Sequence, residues 1–368
     1  MKKKLGDIFE IGSGGTPYKT HPEYYGGDIP WVKTGDLKAE YIYDVEEYIT
    51  QTGLNNSSAK IYESDTVLIA MYGATIGATS ILKFPACTNQ ACAAFKKSNK
   101  VIPEYLYYFL KSKKNKFVRD GVGGAQPNIS AGYLKKIEIE VRSIYEQEKI
   151  VKILDKINRI ITSRQQELDK LDELVKARFV EMFVDPITNP YEWVQTSLKN
   201  VAIGKLSYGS GASAIGYDNE VRYVRITDIT DSGELNNDIK SPNYFDAKYL
   251  LNDGDILFAR SGATVGKTFI HNSKKYGKCI DAGYLIRLVP DLSKVVPDYV
   301  FWFTKTDYYM SFVSQAQRAV AQPNINAQEY GNLTICVPPI ELQNQFATFV
   351  KQIDKSKVAV KNALDKTQ

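Results

Sequence analysis

The central part of the sequence is residues 143–184, SIYEQEKIVKILDKINRIITSRQQELDKLDELVKARFVEMFV, and it predicts one long helix. Apolar residues recur in it at alternating steps of four and three, interrupted by Arg164 and Arg178; they are Ile150, Leu154, Ile157, Ile161, Leu168, Leu171, Val175 and Met182. This average step keeps one stripe facing a single partner helix, which is typical of a coiled coil. The helix would be roughly 60 Å long. Because surface helices are usually much shorter, the pattern favours a spacer over an amphipathic surface helix.

The two halves of the chain repeat one another. The matched segments are residues 27–37 with 220–229, 62–70 with 251–259, 73–77 with 262–266, 102–109 with 296–303 and 125–129 with 321–325. The last pair reads Ala-Gln-Pro-Asn-Ile in both copies, and from there onward the offset is a constant 196 residues. The sequence therefore predicts an internal duplication.

The constant offset places a second copy of the helical stripe after residue 339. Its members are Phe346, Val350, Ile353, Val360 and Leu364. Val360 corresponds to Arg164, and Lys357 corresponds to Ile161, so each helix has an apolar residue where the other carries a charge. We expect the two helices to pack side by side, and antiparallel, because a pseudo-two-fold axis relating the halves would place them so.

The predicted fold class is α+β, with two similar mixed α/β domains separated by two long antiparallel coiled-coil helices, in a pseudo-two-fold internal repeat. The predicted domains are 1–142, the central spacer helix 143–184, 185–338 and a short C-terminal spacer helix 339–368. Turn-bounded β-rich segments predict strands at 66–71, 136–141, 255–258 and 333–337. Proline at the first turn predicts helices over 103–118 and 297–313.

Composition places weak limits on function. The net charge is +5, and the central helical run contributes nothing to it, since it carries eight basic and eight acidic residues. Such a mild excess is compatible with a polyanionic partner without identifying one. The four cysteines lack metal-ligand spacing and are expected to pack as small buried side chains. No apolar stretch approaches the ~20 residues of a membrane span and no signal sequence is evident, so we expect a cytoplasmic protein.

One segment suggests an enzyme. Residues 261–268, SGATVGKT, resemble a phosphate-binding P-loop, but Ser261 stands where the first glycine is required. The equivalent turn, residues 73–80, lacks the lysine. A duplicated strand-to-strand turn accounts for both copies. Two short segments, 189–191 and 337–340, match only part of an amino-methyltransferase motif. No other nucleophilic or metal-dependent site is evident, so the sequence predicts a non-catalytic chain.

Two similar domains at a set separation suit duplex DNA, whose half-sites lie ~34 Å apart for each turn. Polar residues in the expected loops are candidates for base or phosphate contacts. In the first half they are Lys33, Thr34, Asp36, Tyr72, Thr75, Arg119, Gln126 and Asn128; in the second half they are Arg225, Thr227, Asp228, Arg260, Ser261, Thr264, Lys267, Arg318, Gln322 and Asn324. The recurring Gln-Pro-Asn segments are explained more readily as structural turns before a strand. Positions that differ between the halves, such as Tyr72 against Ser261, are better candidates for sequence reading.

The whole chain resembles the specificity subunits of type I restriction-modification systems, the HsdS family. The resemblance rests on the Gly-Ala-Thr-x-Gly turns, the Ala-Gln-Pro-Asn-Ile segments and the motif that opens each long helix. That motif is residues 143–150, SIYEQEKI, and 339–346, PIELQNQF. The resemblance implies two target-recognition domains, each reading one half of a split DNA sequence, and two helices that act as ruler and platform.

The resemblance also implies partners. They are double-stranded DNA, two modification subunits that bind S-adenosylmethionine and methylate adenine N6, and restriction-translocase subunits that use ATP and Mg. No cofactor or metal is expected on this chain. Relative to the first helix, the second lacks about a dozen residues equivalent to 173–184; whether naturally short or truncated, this helix would weaken modification-subunit docking at that end. A stand-alone NTPase and a protein scaffold without DNA contact are the alternatives.

Overall fold

The computed structural model describes residues 1–121, 128–183, 186–318 and 323–367. They form two compact units, residues 1–160 (unit 1) and 161–368 (unit 2), so the boundary falls inside the long central helix. The four predicted domain ranges divide the chain at other points and stay a prediction.

Unit 1 is built on two small sheets. Its strands are β1 Lys2–Lys4, β2 Ile11–Ser13, β3 Tyr25–Val32, β4 Tyr41–Ile42, β5 Tyr48–Ile49, β6 Ile61–Tyr62, β7 Val67–Ala70, β8 Thr79–Leu82, β9 Ala86–Thr88, β10 Cys92–Phe95 and β11 Glu138–Glu140. Its helices are α1 Gln51–Asn55, α2 Pro103–Ser112, α3 Lys114–Asp120, α4 Ala131–Lys136 and the first part of α5 Ile144–Phe183. The sheets have the orders β2-β10-β7-β8-β4 and β5-β3-β9-β6, and β1 pairs with β11.

Unit 2 repeats this plan. Its strands are β12 Val194–Ser197, β13 Ser207–Tyr208, β14 Ala214–Gly216, β15 Arg222–Val224, β16 Lys240–Pro242, β17 Ile256–Ala259, β18 Thr268–Ile270, β19 Cys279–Asp281, β20 Leu285–Leu288 and β21 Thr334–Val337. Its own helices are α6 Ser273–Tyr276, α7 Pro297–Phe303, α8 Asp307–Arg318, α9 Ala327–Asn332 and α10 Ile340–Asp365. The order β13-β20-β17-β18 matches β2-β10-β7-β8, and the β12–β21 pair matches β1–β11. The predicted duplication is therefore confirmed.

The buried core of each unit follows from its apolar strands. Every residue of β7 and of β17 is buried, as expected for strands covered on both faces. Helices α2 and α7 begin at the predicted prolines. Each of the two predicted longer helices is divided, at Lys113 in unit 1 and at 304–306 in unit 2. The four cysteines are free buried thiols, as predicted.

The helix-opening motif has the same structural role in both copies. Gln147 Oε1 accepts a hydrogen bond from the Ile102 amide (3.0 Å), and Gln343 Oε1 accepts one from the Val296 amide (2.8 Å). The Gln147 Nε2 group donates to the carbonyl groups of Lys100 and Arg142, and that of Gln343 donates to the equivalent residues 294 and 338. Both glutamines are fully buried, so each attaches the start of its long helix to the α/β part of its unit.

In unit 2 the two long helices are antiparallel neighbours. Phe346 near the start of α10 contacts Phe179 and Phe183 near the end of α5, with ring centroids 5.3 and 5.5 Å apart. Further along α10, Lys357 Nζ lies 2.6 Å from Asp172 Oδ1. Residue numbers therefore rise on one helix as they fall on the other, which confirms the antiparallel packing predicted from the duplication.

Most of the residues predicted for the apolar seam lie in this helix pair. Leu168, Val175, Phe346, Val350 and Val360 are buried. Leu171, Ile353, Leu364 and Ile161 are partly buried. The remaining seam residues Ile150, Leu154 and Ile157 belong to unit 1, where they are also partly buried, and their pairing stays a prediction.

Candidate nucleic-acid interface

The Gly-Ala-Thr segments form the same tight turn in both units. Each is a single turn of 3-10 helix, Gly73–Thr75 between β7 and β8 and Gly262–Thr264 between β17 and β18. Both pairs of strands are antiparallel. A P-loop instead leads from a strand into a helix, so the resemblance of residues 261–268 to a phosphate-binding loop does not extend to the structure, and the strand-to-strand turn is confirmed.

The threonines stabilise these turns. Thr75 Oγ1 donates to the Tyr72 carbonyl oxygen and Thr264 Oγ1 donates to the Ser261 carbonyl oxygen, both at 3.1 Å. Gly73 has a φ of +64° and Gly262 a φ of +68°, a conformation that glycine adopts without steric cost. The recurrence of Gly-Ala-Thr therefore has a structural cause, and the hydroxyl groups of Thr75 and Thr264 are engaged within the turn.

The turns are brought together with the Ala-Gln-Pro-Asn-Ile segments. Tyr72 forms an antiparallel bridge with Asn128, and Ser261 forms the equivalent bridge with Asn324. After Asn128 and Asn324 the chain enters helices α4 and α9, not directly a strand. Gln126 and Gln322 lie outside the described residues, so their base-reading role stays a prediction.

A helix lies behind each turn. A Cβ atom on Gly77 would lie 3.1 Å from Lys114 Cγ of α3, and one on Gly266 would lie 2.5 Å from Val313 Cγ1 of α8. Arg119 near the end of α3 is 75% exposed at its side chain and is 3.3 Å from Asp120. Arg318 is the last residue of α8. Both predicted arginines thus belong to the helix that packs on the turn of their own unit.

A second group of candidates lies on another 3-10 turn in each unit. In unit 1, Asp36 Oδ2 accepts from the Lys33 amide at 2.7 Å, and Lys33 Nζ is 2.5 Å from Glu47. The hydrogen bond to Glu47 raises the pKa of the Lys33 ammonium group above its ordinary value. Thr34 is partly buried on the same turn. Here the aspartate stabilises the turn and the lysine already has an anionic partner.

Unit 2 repeats this arrangement with arginine. The Arg225 guanidinium group donates to both carboxylate oxygens of Asp228, at 2.5 to 3.1 Å, and to Asp238 at 2.9 Å. Asp228 is fully buried and Thr227 is exposed. Lys267, next to the Gly-Ala-Thr turn, is 2.9 Å from Asp231, so in unit 2 an ion pair connects the turn with the loop that follows Asp228. In unit 1 the residue equivalent to Lys267 is Ala78.

The sequence reasoning missed two exposed tyrosines beside the turn of unit 2. The Arg260 guanidinium carbon lies 4.8 Å from the centroid of the Tyr208 ring, and the Arg260 amide donates to the Tyr284 carbonyl oxygen. Tyr208 is 43% exposed and Tyr284 is 64% exposed. One sequence signal could have indicated this region: each half contains a glycine-containing segment near its start. Gly14 and Gly209 in these segments lie so close to neighbouring backbone that a Cβ atom would clash.

The arrangement places amide, guanidinium and aromatic groups beside two hydrogen-bonded turns, one in each unit. Such groups recognise base edges and phosphates. Among the described residues no group of His, Cys, Asp and Glu side chains could hold a metal ion. No helix in the described ranges is both long and apolar enough to cross a membrane.

Comparison with known proteins agrees with this geometry. The sequence profile of the type I restriction modification DNA specificity domain matches residues 1–173 and again residues 192–367. The chain belongs to this family. It is 27% identical over 379 residues to the type I restriction enzyme MjaIX specificity subunit of Methanocaldococcus jannaschii, an alignment that covers 95% of this chain and 86% of that protein.

Two solved structures share the fold. One comes from work on complex assembly and conformational transition of the type I R-M system, with a TM-score of 0.60, 17% identity and coverage of 100% of this chain and 93% of that chain. The other is the crystal structure of the S subunit from M. genitalium, with a TM-score of 0.54, 13% identity and coverage of 100% and 92%.

The family and the duplicated domain together define the function. The chain is a specificity subunit of a type I restriction-modification system, with one target-recognition domain for each half of a bipartite target. It is not itself catalytic, because the catalytic activities of such systems belong to partner subunits. The family membership predicted from the sequence motifs is therefore confirmed.

Proposed function

We propose that each unit contacts duplex DNA through the surface around its Gly-Ala-Thr turn. One observation carries the proposal: the same backbone frame is built in both units, but the side chains presented on it differ. Tyr72 and Ser261 occupy equivalent positions on equivalent bridges, and Met71 and Arg260 precede them. Two domains that recognise different base sequences require the same backbone structure with different side chains on it. Contacts to bases determine the sequence that is recognised, whereas contacts to phosphates fix the position of the protein on the duplex.

We also propose that the chain assembles with modification and restriction-translocase subunits. Two modification subunits bind S-adenosylmethionine and methylate an adenine in each half-site, while restriction-translocase subunits use ATP and Mg. This chain supplies sequence recognition and a docking platform made of α5 and α10. The complex acts in the cytoplasm, where its DNA substrate is found.

Exchange of one recognition domain tests the proposal. Residues 1–142 are replaced by the corresponding domain of a relative with a different target, and the complex is assembled with its modification subunits. We expect single-molecule sequencing of methylated adenines to show a change in one half of the modified site only. An unchanged site, or a change in both halves, would contradict one half-site per unit.

The two alternatives give different results. A stand-alone NTPase would turn over ATP as a purified chain and would lose this activity on Lys267→Ala. A protein scaffold would fail to bind any duplex at low as well as high salt, whereas phosphate contacts make DNA binding stronger as salt falls.

A further inference from the structure

Arg260 is held in a fixed position directly after β17, two residues before the Gly-Ala-Thr turn of unit 2. Its guanidinium carbon lies 4.8 Å from the centroid of the Tyr208 ring. Its Nε group donates to Asn324 Oδ1 at 3.1 Å. An arginine that is stacked on an aromatic face and hydrogen-bonded at one edge has lost most of its rotational freedom, so binding costs less entropy.

The backbone around this side chain is also fixed. The Arg260 amide donates to the Tyr284 carbonyl oxygen at 3.2 Å, and its carbonyl oxygen accepts from the Ile325 amide at 2.8 Å. The Tyr208 hydroxyl accepts from the Ala327 amide at 3.2 Å. Three separate segments of unit 2, at Tyr208, Tyr284 and residues 324–327, therefore contact Arg260 or its tyrosine platform.

The free end of the guanidinium group distinguishes Arg260 from the other basic candidates of unit 2. Arg225 is occupied by Asp228 and Asp238, and Lys267 by Asp231. Within the described part of the chain, the terminal NH1 and NH2 groups of Arg260 have no hydrogen-bond acceptor and no acidic partner. Two parallel N–H donors match the O6 and N7 acceptors of guanine in the major groove, which is the commonest specific arginine contact.

The equivalent described positions of unit 1, residues 71 and 13, carry no such group. Met71 follows β7 as Arg260 follows β17, and Met71 is buried. Ser13 ends the edge strand β2 as Tyr208 ends β13. The arginine and its platform are thus both specific to unit 2.

We propose that Arg260 reads a guanine in the second half-site, with Tyr208 and Asn324 as positioning residues. This inference rests on the proposed DNA contact. It assigns a G·C pair to the half-site read by unit 2, and it assigns no guanine to the equivalent position in the half-site read by unit 1.

Base analogues test the assignment in the assembled complex with its modification subunits. Each guanine of the second half-site is replaced in turn by 7-deazaguanine, which lacks the N7 acceptor. At one position we expect the wild-type complex to lose about 2- to 10-fold in affinity, because the analogue removes one of the two hydrogen bonds of the bidentate pair and leaves O6 in place. Arg260→Ala removes both hydrogen bonds, so it should lose roughly 5- to 100-fold on the natural duplex, and the analogue should then cause no further loss at that position.

Three further variants separate the positioning of the guanidinium group from its charge. Arg260→Lys keeps the charge and the fold but not the two parallel N–H donors, so it should also lose discrimination at that guanine. Tyr208→Leu removes the ring and should relax the preference for that guanine about 3- to 10-fold, whereas Tyr208→Phe, which keeps the ring, should retain it. Arg142→Gln, at the base of α5 in unit 1, is the matched arginine control and should leave the second half-site preference unchanged.

Several outcomes would overturn the assignment. They are a second half-site without any G·C pair, an Arg260→Ala complex that discriminates every guanine as the wild type does, or a loss of affinity that is the same for all sequences. The last outcome would make Arg260 a phosphate contact. In all three cases the proposed DNA surface of unit 1 is unaffected, so Tyr72→Ala should still change the preference for the first half-site. If the proposed DNA surface itself is wrong, Tyr72→Ala would also leave the first half-site preference unchanged.

Discussion

Gly266 combines two constraints that act on one residue. Its φ of +85° lies in the left-handed region, and a Cβ atom would lie 2.5 Å from Val313 Cγ1. Gly262 in the same turn has a φ of +68° but open space around it. The two glycines of one motif are therefore retained for different reasons, one for backbone conformation alone and the other also for close packing on α8.

This difference predicts the effect of alanine at the two positions. Gly262→Ala should cost about 1 kcal/mol of unfolding free energy, from the left-handed backbone alone. Gly266→Ala should cost about 2–4 kcal/mol, because the crowding against a branched core side chain adds to the same backbone term. Thermal unfolding of the two variants shows which of them loses more unfolding free energy. Equal losses would show that α8 moves away without cost.

At the site, comparison of the two halves of the sequence identified the recurring turn segments more readily than the side chains proposed to contact bases. The Gly-Ala-Thr turns and Asn128 and Asn324 recur in both halves, and the structure brings them together. Tyr208 could not be selected in this way, because its partner Arg260 is 52 positions away in the sequence and the two meet only after β13 and β17 join one sheet. The acidic partners Glu47 of Lys33 and Asp238 of Arg225 were also hidden, since they lie 14 and 13 positions away in the sequence.

At the scale of elements, the duplication predicted most of the architecture. The constant offset placed α10 and its antiparallel neighbour correctly, because a coiled-coil seam is a local periodic signal. The division of the helix predicted at 297–313 was missed. There Thr304 donates to the Phe301 carbonyl oxygen and is hydrogen-bonded to Thr268 of β18, so a tertiary contact breaks a segment whose local pattern is helical.

Gln343 joins α10 to the rest of unit 2, and its replacement tests that role. Gln343→Leu would leave the Val296 amide and the carbonyl groups of residues 294 and 338 without their partner; the bond to residue 338 is buried and the other two are partly buried. Unpaired buried polar groups cost about 1–3 kcal/mol each, so we expect a loss of about 3 kcal/mol or more in unfolding free energy.

The matched control lies two residues further along the helix. Gln345 is exposed, so Gln345→Leu should change the stability by less than about 0.5 kcal/mol. Chemical denaturation monitored by circular dichroism compares the two. A Gln343→Leu variant as stable as Gln345→Leu would show that the motif is not a structural attachment.

At the scale of the whole molecule, the charge is distributed unequally. Unit 1 contains 23 basic and 18 acidic residues, whereas unit 2 contains 24 of each, so the entire excess of +5 lies in unit 1. Part of it is concentrated on α3 and the residue before it, in Lys113, Lys114, Lys116 and Arg119. The equivalent helix α8 carries only Asp307 and Arg318. The two units share a fold but not an electrostatic surface.

This asymmetry predicts that unit 1 supplies most of the salt-dependent affinity for duplex DNA. Helix α3 packs behind the turn of unit 1 through Lys114, so under the proposed function we expect its exposed cations to contact phosphates. Replacing Lys113, Lys114, Lys116 and Arg119 together by glutamine should lower the slope of log K against log salt by up to about 3–4, at about 0.9 per lost phosphate contact. The measurement is a salt titration of binding to the cognate duplex and to an unrelated duplex.

The methylated sequence should stay the same in this variant, because phosphate contacts hold the protein in register without specifying bases. Replacing the three lysines by arginine keeps the charge and should preserve the slope, which separates electrostatic attraction from the particular shape of α3. A slope that does not change on neutralisation would place the phosphate contacts elsewhere on unit 1, and a changed target sequence would mean that α3 reads bases. Since α8 has so few cations, the corresponding neutralisation of Arg318 in unit 2 should lower the slope by no more than about one.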